Sequence, residues 1–349
     1  MVGNLSSGVW GVVATPFVGP SLEVDEASLS RLVKHYEGIG VTGLTVLGVF
    51  GEAARLSAGE RRTVLRTVAA AVQLPLVVGV TGLATAPVTE EARLVREEVG
   101  NRLAGLMVQV NSPDPRVVAT HLNAVHEATG AGIVVQDYPE ASKVAIGTAD
   151  LVRAVQAVPA AVGVKAEAPP TPAAVAVLTA QLDVPVFGGL GGLGLLDELA
   201  AGAAGAMTGF SCPEGLVACV DAWRDGGYDA AREAYLPYLP LVNFEAQARI
   251  GLAIRKEAVR RRELIAESGV RPPAAAMPES LVPQLARHLG PALAAVRPAG
   301  QGQAVQGPTG QRAAQQVQVQ VQGQKAAQQQ GAQKTVQETV QKSAQKEVG

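Results

Sequence analysis

Eight short apolar runs alternate with helical stretches between Val9 and Phe210, and this rhythm limits the chain to few folds. The runs centre on Val12, Val46, Val77, Val108, Val134, Val164, Phe187 and Ala206. A strand followed by a helix, repeated, makes successive strands parallel, because each helix carries the chain back to the starting edge. Eight such units predict a closed α/β (β/α)8 TIM barrel over residues 8–212. With 349 residues, 48% of them hydrophobic, the chain has ample material for that core.

Helix starts are legible too. Ser57-Ala58-Gly59-Glu60 reads as a capping box, and Thr171-Pro172 as a cap followed by proline at the first helical position. Leu29, Leu32, Val33, Tyr36 and Ile39 recur at helical spacing and predict one buried face. After the eighth strand, residues 213–296 read as a C-terminal helical region. Leu216 to Val220 opens one helix, Asn243 to Glu267 forms another, and Arg271-Pro272-Pro273 interrupts before a last one near Pro283 to His288. The composition then breaks. Residues 297–349 are rich in Gln, Ala and Val without an aromatic residue, and read as a disordered tail. Within it Val317 to Gln322 alternates strictly, a pattern able to pair as a strand.

The formal net charge is -2, which offers no electrostatic footprint for nucleic acid or a membrane surface. Cys212 and Cys219 are the only cysteines, too few for a disulfide framework. Met1 to Ser7 lacks the features of a signal peptide, and no apolar run is long enough to span a bilayer. A cytoplasmic protein is expected.

Chemistry in such a barrel sits at the C-terminal ends of the strands. Lys165, in Ala161-Val162-Gly163-Val164-Lys165-Ala166-Glu167, is the only cation at those ends. The other lysines before residue 297, Lys34, Lys143 and Lys256, occupy helix-surface or loop settings. Burying a charged lysine is costly, so a strand that accepts one either pairs it or keeps it neutral, and a neutral amine attacks carbonyls. A strand-end lysine reaching out to solvent is the bland alternative. Side chains alternate along a strand, so Lys165 shares a face with Glu167, and Gln136 with Tyr138. Glu167 and Tyr138 are then candidates to move protons; the alternatives are a solvated loop acid and a packing residue before Pro139. His35, His121, His126 and His288 all read as helix positions, which argues against a hydrolytic triad or a histidine metal site.

Gly189-Leu190-Gly191-Gly192-Leu193-Gly194 matches the dinucleotide fingerprint. This supports a competing architecture, a doubly wound sheet of a nucleotide-binding oxidoreductase. Against it, the motif follows the seventh strand, and no acidic residue ends the next one. In a barrel the same loop offers backbone amides to a phosphate, carboxylate or hydroxyl.

Gly11-Val12-Val13-Ala14-Thr15-Pro16-Phe17, Gly48-x-x-Gly51-Glu52, Pro139, Gly163-Val164-Lys165 and the glycine loop from Gly188 occur in order along the eight units. In this the chain resembles the dihydrodipicolinate synthase and N-acetylneuraminate lyase family over residues 8 to 290. The resemblance implies a Schiff base between Lys165 and pyruvate or a related 2-oxo acid, followed by aldol cleavage, condensation or dehydration. It also implies no metal or other cofactor, a homodimer or homotetramer, and a structural role for Gly51 and Glu52 in the loop after strand two. Gly48, Val49, Phe50 and Gln136 are expected at the substrate, as are Gly189, Leu190, Gly191 and Thr208.

The departures are specific. Val49 and Phe50 stand where the family has small hydroxyl residues that hold the substrate carboxylate. Gln136 replaces the tyrosine that relays protons, Val110 a second relay tyrosine, and Ala141 an arginine. These changes argue against dihydrodipicolinate synthase activity itself while leaving imine formation open. Tyr138 or Glu167 would supply the relay, Phe50 would make the pocket floor more apolar, and the loop from Gly189 to Gly194 would hold the substrate's anionic or hydroxylated end. A non-catalytic barrel that retains its lysine is the rival reading.

Overall fold

The computed structural model describes residues 3–296, so the Gln-rich stretch from 297 to 349 lies outside the described residues. Eight parallel strands are present: β1 (Gly8–Val12), β2 (Gly43–Val46), β3 (Leu76–Gly79), β4 (Leu103–Gln109), β5 (Ile133–Asp137), β6 (Ala161–Ala166), β7 (Val186–Gly188) and β8 (Gly205–Thr208). Each pairs with its neighbours in sequence, and β1 pairs with both β2 and β8, which closes the barrel. A closed ring excludes the open doubly wound sheet.

Trp10, Val77, Met107, Val134, Val162, Phe187 and Met207 fill the inside of the ring, and Leu5 joins them from the N-terminal segment. Gly43 complements Trp10, since a Cβ there would overlap the indole. Burying side chains of this size contributes roughly 1.5–3 kcal/mol each. A register shift on β6, between Ala161 and Gly163, lets Val162 join this interior layer. Beyond it Gln136 lies opposite Lys165, and Lys165 opposite Phe187.

The helices α1 (Glu26–Gly38), α2 (Ala58–Ala71), α3 (Thr85–Val99), α4 (Pro115–Thr129), α5 (Thr148–Gln156), α6 (Thr171–Gln181) and α7 (Leu195–Ala200) follow β1 to β7 around the outside. Helix α1 buries Leu29, Leu32, Val33 and Tyr36, with Ile39 as its C-cap. The box at Ser57 and Glu60 forms in both directions, at 2.8 and 3.2 Å. Thr171 departs from its expected role: Pro170 is the N-cap and Thr171 already belongs to α6. Its hydroxyl turns inward and donates to Glu198 Oε1 at 2.5 Å. The four histidines lie on α1, α4 and the last helix.

After β8 come α8 (Pro213–Tyr235), α9 (Leu239–Glu245), α10 (Gly251–Arg261) and α11 (Val282–Ala294). The helix expected from Asn243 to Glu267 is therefore two helices. Arg249 adopts φ 71°, which no helix continues through. Gly251 then lies so close to the Glu245 carbonyl that a Cβ would collide with it. Cys212 and Cys219 are buried free thiols. Among the described residues, no helix is long and apolar enough to cross a membrane.

Candidate active site

Lys165 is 5% exposed, and its Nζ lies 3.1 Å from Glu167 Oε2. The same oxygen accepts a 2.8 Å hydrogen bond from Gln136 Nε2, and the other, Oε1, accepts one from the Leu190 amide at 3.4 Å. Glu167 is thus neither a solvated loop acid nor free to rotate. The alternation read from the sequence explains the grouping: Lys165 and Glu167 project from one face of β6 and its extension, and Gln136 projects beside them from β5. Lys165 is paired inside the barrel and does not extend its ammonium to the outer surface.

Two glycines make room for two acids. A Cβ on Gly189 would overlap the Glu167 side chain, and one on Gly188 would overlap the carboxylate of Glu198. Glu198 lies buried behind the sheet, where desolvation, opposed by the Thr171 hydrogen bond and reinforced by the charges of Glu167 and Asp197, pushes its carboxyl up to about 7. Its Oε2 has no hydrogen-bond partner among the described residues. Asp137, at the end of β5, is raised to about 6 by burial and then by Glu167. The sequence reading weighed neither of these acids.

The turn after β2 is held from three sides. Thr15 Oγ1 donates to the Gly51 carbonyl at 2.7 Å. Glu52, in a left-handed conformation, accepts from Lys256 Nζ at 2.8 Å, from Arg55 Nη1 at 3.0 Å and from the Arg271 amide at 2.9 Å. Lys256 is no surface lysine: it is fully buried on α10, 4.2 Å above the centre of the Phe17 ring. Burial lowers its pKa and Glu52 opposes that shift. Lys34 and Lys143 are exposed as read.

A cavity of about 590 Å³ opens at the C-terminal end of the barrel. Lys165, Glu167, Gln136, Tyr138, Val49, Phe50, Leu190, Gly191 and Thr208 line it. Val49 is largely exposed, whereas Phe50 is half-buried over Gly209, where a Cβ would strike its ring. Of the expected positions, Gly48, Gly51, Glu52 and Gly189 are outside the lining; they support it from behind. Tyr138 keeps its proton firmly, because burial first and then the negative charges of Glu167 and Glu140 raise its phenol to about 12. The glycine loop folds as a 3-10 turn over Leu190–Gly192, with Gly191 at φ 73°. Its amides are engaged: Leu190 donates to Glu167, and Gly191 to Thr208 Oγ1 at 2.7 Å. They buttress the site and present no amide nest to a dinucleotide phosphate.

Arg255 also lines the cavity, and sequence reasoning passed over it because it falls inside what reads as one long helix. Its Nε lies 3.2 Å from Glu245 Oε2, its guanidinium lies 5.7 Å from the Phe50 ring centre, and a Cβ on Gly191 would collide with it.

The fold and the site together define a closed (β/α)8 barrel that brings a buried, carboxylate-paired lysine of its sixth strand to the wall of an open cavity. The profile of the Dihydrodipicolinate synthetase family matches residues 5–291. The chain belongs to that family. It is 30% identical over 281 residues to an L-2-keto-3-deoxyarabonate dehydratase of Azospirillum brasilense, which spans 78% of this chain and 89% of that protein. It is also 30% identical over 300 residues to a 4-hydroxy-tetrahydrodipicolinate synthase of Kineococcus radiotolerans, over 83% and 94% of the two chains. The dihydrodipicolinate synthase of Rhodopseudomonas palustris superposes with a TM-score of 0.75 at 29% identity, covering 83% of this chain and 99% of that one. A sialic acid aldolase of Ruminococcus gnavus, solved as a catalytic lysine mutant, shares the fold at 19% identity with a TM-score of 0.74, covering 84% and 98%.

Proposed function

We propose that the protein is a Schiff-base lyase that dehydrates or cleaves a 2-oxo acid, with Lys165 as nucleophile and Glu167 as the proton-transfer group. The observation that carries this reading is the 3.1 Å approach of Glu167 to Lys165 Nζ at a buried position on the cavity wall. An ammonium cannot attack, and Glu167 is within reach to take its proton. The amine then adds to the keto carbon. Glu167 returns a proton as the carbinolamine loses water, leaving an imine whose nitrogen draws electrons from the adjacent carbon. A proton leaves that carbon, and hydroxide departs from the next one as water in a dehydration. In a cleavage no proton leaves that carbon. The hydroxyl on the next carbon loses its proton instead and becomes an aldehyde as the bond between the two carbons breaks, its electron pair passing to the imine nitrogen. In both routes water then hydrolyses the imine to release the product and free Lys165.

Gln136 takes the place of a phenol and cannot exchange protons at neutral pH, but its amide fixes the carboxylate that can. Tyr138, protonated and facing the same cavity, is a second donor for the departing oxygen. No arginine follows Pro139 and no tyrosine stands at 136, so a dehydratase or aldolase is a better reading than dihydrodipicolinate synthesis. The similarity to a dehydratase along 78% of the chain favours the same choice. A homodimer or homotetramer belongs to the proposal and is checked by light scattering.

The test is turnover. A 2-keto-3-deoxy sugar acid incubated with the protein should lose water, followed by proton NMR, and Lys165→Arg should abolish the loss. Turnover that survives Lys165→Arg would exclude the imine route.

A further inference from the structure

We propose that Arg255 forms a second carboxylate-binding subsite, so that the preferred substrate is a 2-oxo acid with another anionic group at the end remote from its keto carbon. This inference rests on the Schiff-base reading. Three cations besides Lys165 line the cavity, and they are not equivalent. Arg55 is committed to Glu52, and Arg249 is exposed at the rim. Arg255 is different. Its Nε bond to Glu245 is its one hydrogen bond among the described residues, and Glu245 is itself fully buried and further held by Ser211. That partner fixes the guanidinium through Nε and leaves the two terminal nitrogens, the pair that binds a carboxylate in a fork. Gly191, lacking a side chain, lets the guanidinium lie against the glycine loop. The Phe50 ring stands on the neighbouring wall, its centre 5.7 Å from the guanidinium carbon.

The position selects the far end of the ligand. From Lys165 the contacts run to Glu167, then to the Leu190 amide, then past Gly191 to Arg255. Glu167 and the glycine loop stand between Lys165 and the guanidinium along this path, and Arg255 is therefore assigned to atoms away from the imine carbon.

The full-length protein is titrated with pyruvate, 2-oxobutyrate, oxaloacetate, 2-oxoglutarate and 2-oxoadipate, and borohydride-trapped Lys165 is quantified by peptide mass. At least one diacid should half-saturate at a concentration roughly tenfold to a hundredfold lower than the monoacids, the range expected of a charge-assisted bidentate contact. Arg255→Met should erase most of that preference, and Arg255→Lys should retain part of it. Because Arg255→Met leaves Glu245 unpaired, the double variant Arg255→Met/Glu245→Gln is measured beside it and should show the same loss. Equal half-saturation by monoacids and diacids in the unaltered protein overturns the inference, as does a diacid preference that stays within about threefold in the folded variants. Absence of any adduct with all five acids instead overturns the Schiff-base reading beneath it.

Discussion

Replacing Glu198 by Gln isolates a buried acid whose titration should shape the stability of the barrel. Glu198 is 1% exposed, bonded through Oε1 to Thr171 and without a partner for Oε2 among the described residues, and its folded-state pKa is raised to about 7 from an ordinary 4.5. The sign follows from which state holds the proton more tightly. A raised carboxylate pKa means the native protein retains a proton that the unfolded chain releases, so a stability penalty grows as pH rises from 4.5 to about 7 and is constant above. With those two values the penalty is under ~1 kcal/mol at pH 5 and ~3 kcal/mol at pH 8, a difference of about 2–3 kcal/mol. Gln keeps the shape and cannot ionise. Urea unfolding followed by circular dichroism at pH 5 and pH 8 should show Glu198→Gln gaining on the unaltered protein by about that difference at the higher pH. Asp137, raised in the same direction, remains in both proteins and cancels from the comparison. A relative stability that does not change between the two pH values would show that Glu198 ionises normally, and the reasoning from its burial would be wrong.

Lys256→Met should cost roughly 1–3 kcal/mol, because it removes one of the two cations that pair with buried Glu52 while Arg55 stays, and adding Glu52→Gln should recover part of the loss; thermal unfolding reads both. Glu167→Gln should still trap an imine, slowly, while turnover falls by roughly a hundredfold or more, whereas Tyr138→Phe should cost less; the reverse order would make Tyr138 the principal relay. Gly189→Ala drives a methyl into Glu167 and should mimic Glu167→Gln in turnover with the fold kept, as checked by circular dichroism. Full activity in that variant would mean that the position of Glu167 is not critical.

The barrel was legible because its strands are short apolar runs and they alternate with helical stretches, several of which carry one apolar face. Lys165 was legible for the same reason, as a cation where only apolar residues belong, and Glu167 followed by alternation along the strand. What parity could not show was pairing between distant segments. Lys256 meets Glu52 across 204 residues, and nothing in the local pattern of α10 distinguishes it from a surface lysine. Arg255 and Glu245 escaped because the break between α9 and α10 depends on Arg249 adopting a positive φ, a conformation the sequence pattern does not announce. The glycine loop was visible, but the side chains its glycines make room for were not. Its glycines clear space for Glu167, Glu198 and Arg255, and two of its amides are occupied by the protein itself.

Borohydride reduction of the protein in the presence of pyruvate and a series of 2-oxo acids, followed by peptide mass analysis, tests the central claim. The account predicts one reduced adduct, on the peptide containing Lys165, and none on buried Lys256 or on exposed Lys34 and Lys143. Labelling spread over the exposed lysines with Lys165 unmodified, or no adduct with any acid, would contradict it.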